Sequence, residues 1–211
     1  MIPKILHHIW LGDRAPDPFL LSCRQTALDC HPTWERLLHR GESVFNDPAF
    51  DAPMRDRLKD AAQRIRGYRT GHHPLALVAD VLRLAVIYVH GGIYLDMDME
   101  VLRPLDDFLG EDLILSQFAA GNGRAVGEFI LGAPPRSPKI LTILDRLLGM
   151  RPIRSNTGWT APNVYPGLVT EHRWHAFPRE VFCPLNRGGM GTVTAATYAI
   201  HHWQGLPSSK P

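Results

Sequence analysis

Residues 74–98 constrain the fold more tightly than any other stretch of this 211-residue chain. From Pro74 to His90 the side chains are apolar on nearly every face, the pattern of a buried helix. Gly91-Gly92 then ends it, because glycine at a helix C-terminus takes the left-handed turn without Cβ strain. Ile93 to Val101 reads as a strand, and Pro104 closes it.

The flanking segments fit around that unit. Ile2 to Leu11 is a short apolar run ending at Gly12 and reads as a buried first strand. Pro18 to Asp29 suits a helix broken at His31-Pro32, Glu35 to His39 a second strand, and Arg55 to Arg66 an amphipathic helix stopped by Gly67. Leu113 to Phe118 and Glu128 to Gly132 are further strands. Ser137 to Leu148 is a helix capped by Ser137 with Pro138 at its first position. Arg151 to Gly191 reads as irregular, and Tyr198 to Trp203 as a last short strand. Strands alternating with helices, followed by a mixed tail, predict an α/β fold with helices on a mixed central sheet. No Ser/Gly-rich or charge-rich linker divides it, so 1–211 is expected to form one domain.

Composition excludes several classes. Hydrophobic residues at 45% and charged residues at 21% rule out a disordered chain, a collagen-like fibre and a coiled coil. A formal charge of +2 is too balanced to announce nucleic acid as a partner. Cys23, Cys30 and Cys183 form neither a disulfide framework nor a zinc pattern. The segment MIPKILHHIW lacks a signal peptide's apolar core, and Asp80, Arg83 and the glycine pair argue against a membrane span at 75–95. The expected compartment is the cytoplasm, with peripheral membrane contact compatible with it.

The chemistry concentrates in Tyr94-Leu95-Asp96-Met97-Asp98. In a strand, alternate side chains share a face, so Tyr94, Asp96 and Asp98 would point one way. Carboxylates two residues apart lie with Cα atoms roughly 7 Å apart on one face. Such a pair repels itself and is costly to bury, and a bound hard cation such as Mg²⁺ or Mn²⁺ would offset that cost. Asp80 and Arg83, at i and i+3 on the buried helix, share a face; an internal salt bridge or contact with a polar ligand would each account for them. His7, His8, His72 and His73 read as structural or loop residues.

Three segments resemble the DXD-containing sugar-transferase family, which includes bacterial capsular-polysaccharide glycosyltransferases, fungal Och-type mannosyltransferases and, distantly, the large glucosylating toxins. They are IPKILHHIWLG, LVADVLRLAVIYVHGGIYLDMDMEVLRPLD and YAIHHW. The resemblance implies a GT-A-like fold, a UDP- or GDP-hexose donor, Mn²⁺ or Mg²⁺, and retention of anomeric configuration. It implies a nucleotide-sugar-binding half at 1–103 and an acceptor-side half with the closing motif at 104–211. Asp96 and Asp98 would be catalytic metal ligands joined by His202, chosen over its neighbour His201. Asp80 and Arg83 would contact the donor sugar. Ile9, Trp10, Leu11, Tyr94, Trp203 and Lys210 would contact the rest of the donor, with Trp10 stacked on the base. Thr157-Gly158-Trp159 resembles an acceptor-side turn, with Asn156 beside it. The acceptor would be a glycan, a lipid-linked glycan or a protein.

Two rivals fit parts of the pattern. A phosphatase of the haloacid-dehalogenase type also uses D-x-D after an apolar strand, with the first Asp as nucleophile. Its next-but-one position after the pair is usually Thr or Val, whereas here it is Glu100. A non-catalytic nucleotide-sugar-binding relative fits the short C-terminus. An α/β interaction module with solvated acids is a third reading.

Overall fold

The computed structural model describes residues 1–66, 74–120, 123–149 and 161–204. Five strands form the main sheet: β1 (Ile5–Trp10), β2 (Glu35–Arg40), β3 (Gly92–Leu95), β5 (Ile114–Ala120) and β6 (Gly123–Ala133), in the order β2-β1-β3-β6-β5. β1 pairs in parallel with both β2 and β3, while β6 runs antiparallel to β3 and to β5. The remaining strands, β4 (Met99–Val101) and β7 (Ala199–His201), make a separate antiparallel pair.

The helices are α1 (Pro18–Cys30), α2 (Ala52–Arg66), α3 (Pro74–His90), α4 (Pro138–Gly149), α5 (Ala161–Glu171) and α6 (Arg179–Phe182). α1 starts where Asp17 accepts the Leu20 amide at 2.9 Å and Pro18 takes the first position, where a missing N–H does no harm. α2–α5 contribute the apolar layer on one face of the sheet, where Leu58, Leu82, Ile87, Leu144 and Tyr165 are buried together. α1, α6, β4 and β7 contribute the layer on the other face, around Ala27, Val101, Phe182 and Ala199. Alternation along β3 feeds both layers, since Tyr94 enters the first while Ile93 and Leu95 enter the second.

The glycine pair does two different things. Gly91 closes α3 at φ +66°, with its amide on the Ile87 carbonyl at 2.9 Å. Gly92 lets β3 approach β1, since a Cβ there would sit 2.7 Å from the Ile5 carbonyl oxygen.

The structure corrects two expectations. Ile93–Val101 is not one strand: the chain turns at Asp96–Met99, closed by the Met99 amide on the Asp96 carbonyl at 3.1 Å, and passes from the main sheet to the small one. The stretch Arg151–Gly191 is not wholly irregular, because α5 and α6 lie within it. α5 carries Pro166 inside the helix, and that proline hides it from a reading based on breakers. Among the described residues no helix is long and apolar enough to cross a membrane.

Candidate functional site

The site gathers where β3 leaves the main sheet. The Asp96 amide donates to the Phe129 carbonyl of β6 at 2.8 Å, so the first aspartate sits one residue past the end of β3 but remains tied to the sheet. Its Oδ1 accepts the Tyr94 hydroxyl at 2.6 Å and lies 3.0 Å from Arg83 Nη1. Asp98 comes two residues later, beyond the turn. Its Oδ2 accepts the Gln204 amide at 2.7 Å, and its carbonyl accepts the His202 amide at 3.1 Å. The segment after β7 therefore clasps the D-x-D turn from the far end of the chain.

β7 brings His201 directly opposite Met99. Its Nε2 stands 3.3 Å from Asp98 Oδ1 and 3.9 Å from Asp96 Oδ2. One ligand atom from each of Asp96, Asp98 and His201 lies within 4.8 Å of the other two. The imidazole is held by stacking on Phe129, with centroids 4.6 Å apart, and by Trp203 at 4.2 Å. Two carboxylate oxygens and one imidazole nitrogen form a donor set that suits Mn²⁺ or Mg²⁺. His201 Nδ1 is buried without a hydrogen-bond partner among the described residues. The residues fit a divalent cation.

Arg83 anchors the opposite side. Its guanidinium bonds Asp80 Oδ1 at 2.8 Å, the Glu128 carbonyl at 2.8 Å and Asp96, and it lies over the Tyr94 ring at 4.7 Å. Burial works against its charge, but Asp96, Tyr94, Asp80 and Glu128 together hold its pKa well above the ordinary arginine value. Burial raises the Asp96 carboxyl in spite of Arg83, with Asp98 adding to the effect. Burial acts the same way on Asp98, yet the His201 and Gln204 hydrogen bonds win and hold that carboxyl below its usual range. The turn therefore presents one strongly ionised acid beside one reluctant to ionise.

Asp80, Arg83, Tyr94, Asp96 and Asp98 come together as the sequence suggested, with Asp80 reaching Asp96 through Arg83. They do not meet by strand alternation, because the turn rather than a flat strand sets their positions. His202 is displaced from its expected place: its Nε2 is 2.8 Å from Glu100 Oε2, and Phe19 packs edge-on against it. His201 takes the position beside the acids instead, because neighbouring residues on an extended chain point to opposite sides and β7 pairs through His201. No signal in the sequence separates the two; only the partner strand does. Trp203 lies in the site, with its indole N–H on the Leu185 carbonyl at 3.1 Å. Trp10, at the end of β1, is partly exposed and donates to the Arg14 carbonyl at 2.7 Å. Ile9 is buried in the α2–α5 layer, and Leu11 is partly buried and packs against that layer. Lys210, Asn156, Thr157, Trp159, His72 and His73 lie outside the described residues. His7 and His8 are buried in the sheet, as expected of structural residues. Glu128 and Tyr165 line the same cluster and were not anticipated, since neither stands in a motif.

Comparison with known proteins agrees with the resemblance drawn from the sequence. The family described as "Glycosyltransferase sugar-binding region containing DXD motif" matches residues 21–115, from α1 into β5. Residues 21–115 are thus similar to the DXD-containing sugar-binding region of that family. It is similar to inositol phosphoceramide mannosyltransferase 3 of Schizosaccharomyces pombe, with 32% identity over 109 residues, 51% of this chain and 27% of that protein. It is also similar to mannosyl phosphorylinositol ceramide synthase CSH1 of Saccharomyces cerevisiae, with 26% identity over 207 residues, 96% of this chain and 50% of that protein. The chain therefore spans half the length or less of these two relatives. Among solved structures, the PaToxG glycosyltransferase superposes with a TM-score of 0.60 at 16% identity, covering 81% of this chain and 70% of that one. The ligand-free glycosyltransferase domain of the YGT toxin gives 0.52 at 10% identity, covering 70% and 62%. These likenesses bear out the GT-A-like α/β fold.

Proposed function

We propose that this chain, built around the DXD region of the glycosyltransferases, transfers a hexose from a nucleoside-diphosphate sugar to an acceptor hydroxyl, with retention of configuration and with Mn²⁺ or Mg²⁺ bound. The observation that carries the reading is the convergence of Asp96, Asp98 and His201 within 4.8 Å of one another, beside the buried Asp80–Arg83 pair. A solvated-acid module would not bury Asp98 to 4% exposure and pin it with a backbone amide. A haloacid-dehalogenase-type nucleophile would need Asp96 free to attack, whereas one of its oxygens is engaged by Tyr94 and Arg83.

Each residue then has a task. Asp98, ionised and pinned by Gln204, is the principal anchor for the cation, with Asp96 Oδ2 and His201 Nε2 completing the protein's share. The cation, when bound, stabilises as a Lewis acid the charge that develops on the departing diphosphate. Asp80 and Arg83 hold the donor sugar by its hydroxyls, which supplies proximity and orientation. The Trp10 ring stacks on the base, as an aromatic face suits a flat π system. The acceptor hydroxyl attacks the anomeric carbon from the side on which the diphosphate leaves, the bond to the diphosphate breaks, and the hydroxyl proton passes to the departing diphosphate oxygen. Both fungal relatives are named for mannosylated inositol phosphoceramides, so GDP-mannose and a lipid-linked acceptor are the first pair to try.

The test is a thermal-shift panel of UDP- and GDP-sugars with and without Mn²⁺. A binding ligand raises the melting temperature by mass action. At least one sugar nucleotide should stabilise the protein only when the metal is present, and that donor should turn over slowly to free sugar and nucleotide. Metal-independent release of phosphate from a monoester, with no response to any sugar nucleotide, would overturn the reading.

A further inference from the structure

The segment that clasps the D-x-D turn contains a residue whose backbone is unusual for its type. Trp203 has φ +58°, in the left-handed region. That conformation brings Cβ against the following carbonyl oxygen, and a bulky residue adopts it only where its surroundings impose it. The turn has a visible result. The His202 amide continues the pairing of β7 with β4 by donating to the Asp98 carbonyl at 3.1 Å. Extended backbone at the next residue would carry the Gln204 amide roughly 7 Å farther along that line. Instead the chain turns back, and the Gln204 amide meets Asp98 Oδ2 at 2.7 Å. Both amides thus address one aspartate, the first its carbonyl and the second its carboxylate. Asp98 Oδ1 is left facing His201 Nε2 at 3.3 Å.

The indole is clamped. Its Nε1 donates to the Leu185 carbonyl at 3.1 Å. A tight turn fixes that carbonyl: the Asn186 amide donates to the Met190 carbonyl at 2.9 Å, and Asn186 Oδ1 accepts the amides of Gly188 at 2.9 Å and Met190 at 3.0 Å. The ring packs on His201, with centroids 4.2 Å apart, and on Phe118 at 5.5 Å, and the Arg187 guanidinium lies 5.1 Å from its centre. Backbone strain persists where the surrounding structure over-determines it, and it collects at functional sites.

We infer that Trp203 is a positioning residue for Asp98: the clamped indole imposes the left-handed turn that aims the Gln204 amide at the Asp98 carboxylate, so that Oδ1 is turned toward His201 before a cation arrives. The inference rests on the proposed function, since Asp98 and His201 are cation ligands of that site. Its mechanical part needs no ion and can be read in metal-free protein. Contacts that orient a metal ligand from behind typically govern affinity by about ten- to a hundredfold.

The experiment compares wild type with Trp203→Gly, Trp203→Ala and Trp203→Phe. Gly and Ala both remove the indole, but only Gly enters the left-handed region without Cβ strain. Hydrogen exchange of the Gln204 amide is followed by NMR in metal-free protein, and Mn²⁺ affinity by electron paramagnetic resonance. Trp203→Ala should lower the protection of the Gln204 amide and weaken Mn²⁺ binding, each by about tenfold or more. Trp203→Gly should exceed Trp203→Ala in both by about fivefold or more, the value of the left-handed preference. The Leu102 amide, on the Tyr198 carbonyl at 2.8 Å, reports the β4–β7 pair and should keep its protection within about threefold in every variant. A residue that only filled space would leave Gly level with Ala or below it. That order, no loss in either variant, or an equal fall at Leu102 overturns the inference. Should neither variant fold, Trp203→Phe decides, because it keeps a ring but loses the bond to Leu185. A fall in Gln204 protection of about threefold or more, with Leu102 unchanged, then supports the clamp, and an unchanged Gln204 amide refutes it. A wild type that binds no Mn²⁺ removes the cation from the proposed function, and the metal-free exchange order then upholds or overturns the clamp by itself.

Discussion

Two buried polar clusters share the sheet, and they settle their charges in opposite ways. At the end of β3, Asp80, Asp96 and Glu128 crowd around one guanidinium, that of Arg83. Beside β1 and the edge strand β2, His7, His39, His90 and Asp47 form the second cluster. It borders an open cavity of about 460 Å³ lined in part by Leu37, His39, Asp47 and His90. His7 Nε2 faces the Gly91 carbonyl at 2.9 Å, so it must carry the hydrogen there, which leaves Nδ1 to accept from His39 Nε2 at 3.0 Å. His90 Nε2 donates to Asp47 at 2.8 Å. Burial, with the neighbouring imidazoles, pushes His7 down to about 3 and His39 to about 4, so these two rings are neutral near pH 7. The imidazole cluster satisfies itself. The acid cluster holds more negative groups than Arg83 can neutralise, and that imbalance asks for a cation and a polar ligand. Burial of polar groups is common to both; unbalanced charge belongs to one, and that one coincides with the D-x-D turn.

The comparison breaks most easily at Arg83. Arg83→Met leaves Asp80 and Asp96 buried without their counter-charge, and removal of one partner from such a pair costs about 3–5 kcal/mol. Urea unfolding should show a loss of that size, and a loss below about 1 kcal/mol would mean that the cluster neutralises itself by protonation. Asp98→Ala should lower metal-dependent turnover by on the order of 10²–10³, as expected for removal of a main electrostatic contact, with circular dichroism unchanged. Undiminished turnover would refute its role.

The imidazole cluster is tested by acid. His7, in that cluster, and His8, its neighbour on β1 outside the cluster, are both pushed down from 6.5 to about 3, chiefly by burial. The unfolded chain therefore takes up protons below pH 6.5 that the native state refuses until about pH 3. Stability rises with pH across that window and falls as pH drops, by roughly 2 kcal/mol for each buried ring at pH 5. Denaturation midpoints measured at pH 7 and pH 5 should differ accordingly, and replacing His8 by Leu should remove its share.

The smallest contrast separates neighbours. His201→Ala should weaken Mn²⁺ binding about 10- to 100-fold, as changes close to a metal do. His202→Ala loses a partly exposed pair with Glu100 and the edge-on contact with Phe19, and should change stability by about 1 kcal/mol or less. Equal effects of the two on metal affinity would contradict the register of β7.

Much of this fold is legible from local chemistry. α3 announces itself by apolar residues on every face and ends at glycine. α1 announces itself by Asp17 and Pro18, and α4 by Ser137-Pro138. α5 does not, because Pro166 stands inside it and its stability comes from packing Val164, Tyr165 and Leu168 against the sheet. The site divides along the same line. Asp80, Arg83, Tyr94, Asp96 and Asp98 lie within nineteen consecutive residues, so the short path through the glycine pair keeps them near one another, although the turn at Asp96–Met99 rather than the strand period sets their final places. His201 and Glu128 stand in no such pattern. They reach the acids through pairing of β7 with β4 and of β6 with β3.

The amino-acid order by itself determined the buried helix, the glycine turn and the pair of aspartates, because each depends on contacts a few residues apart. Which histidine meets those aspartates, and where the chain leaves the main sheet, were decided only by tertiary structure. Strand register sets them, and register is fixed by how two faces of a sheet bury their side chains together, over separations of thirty to a hundred residues.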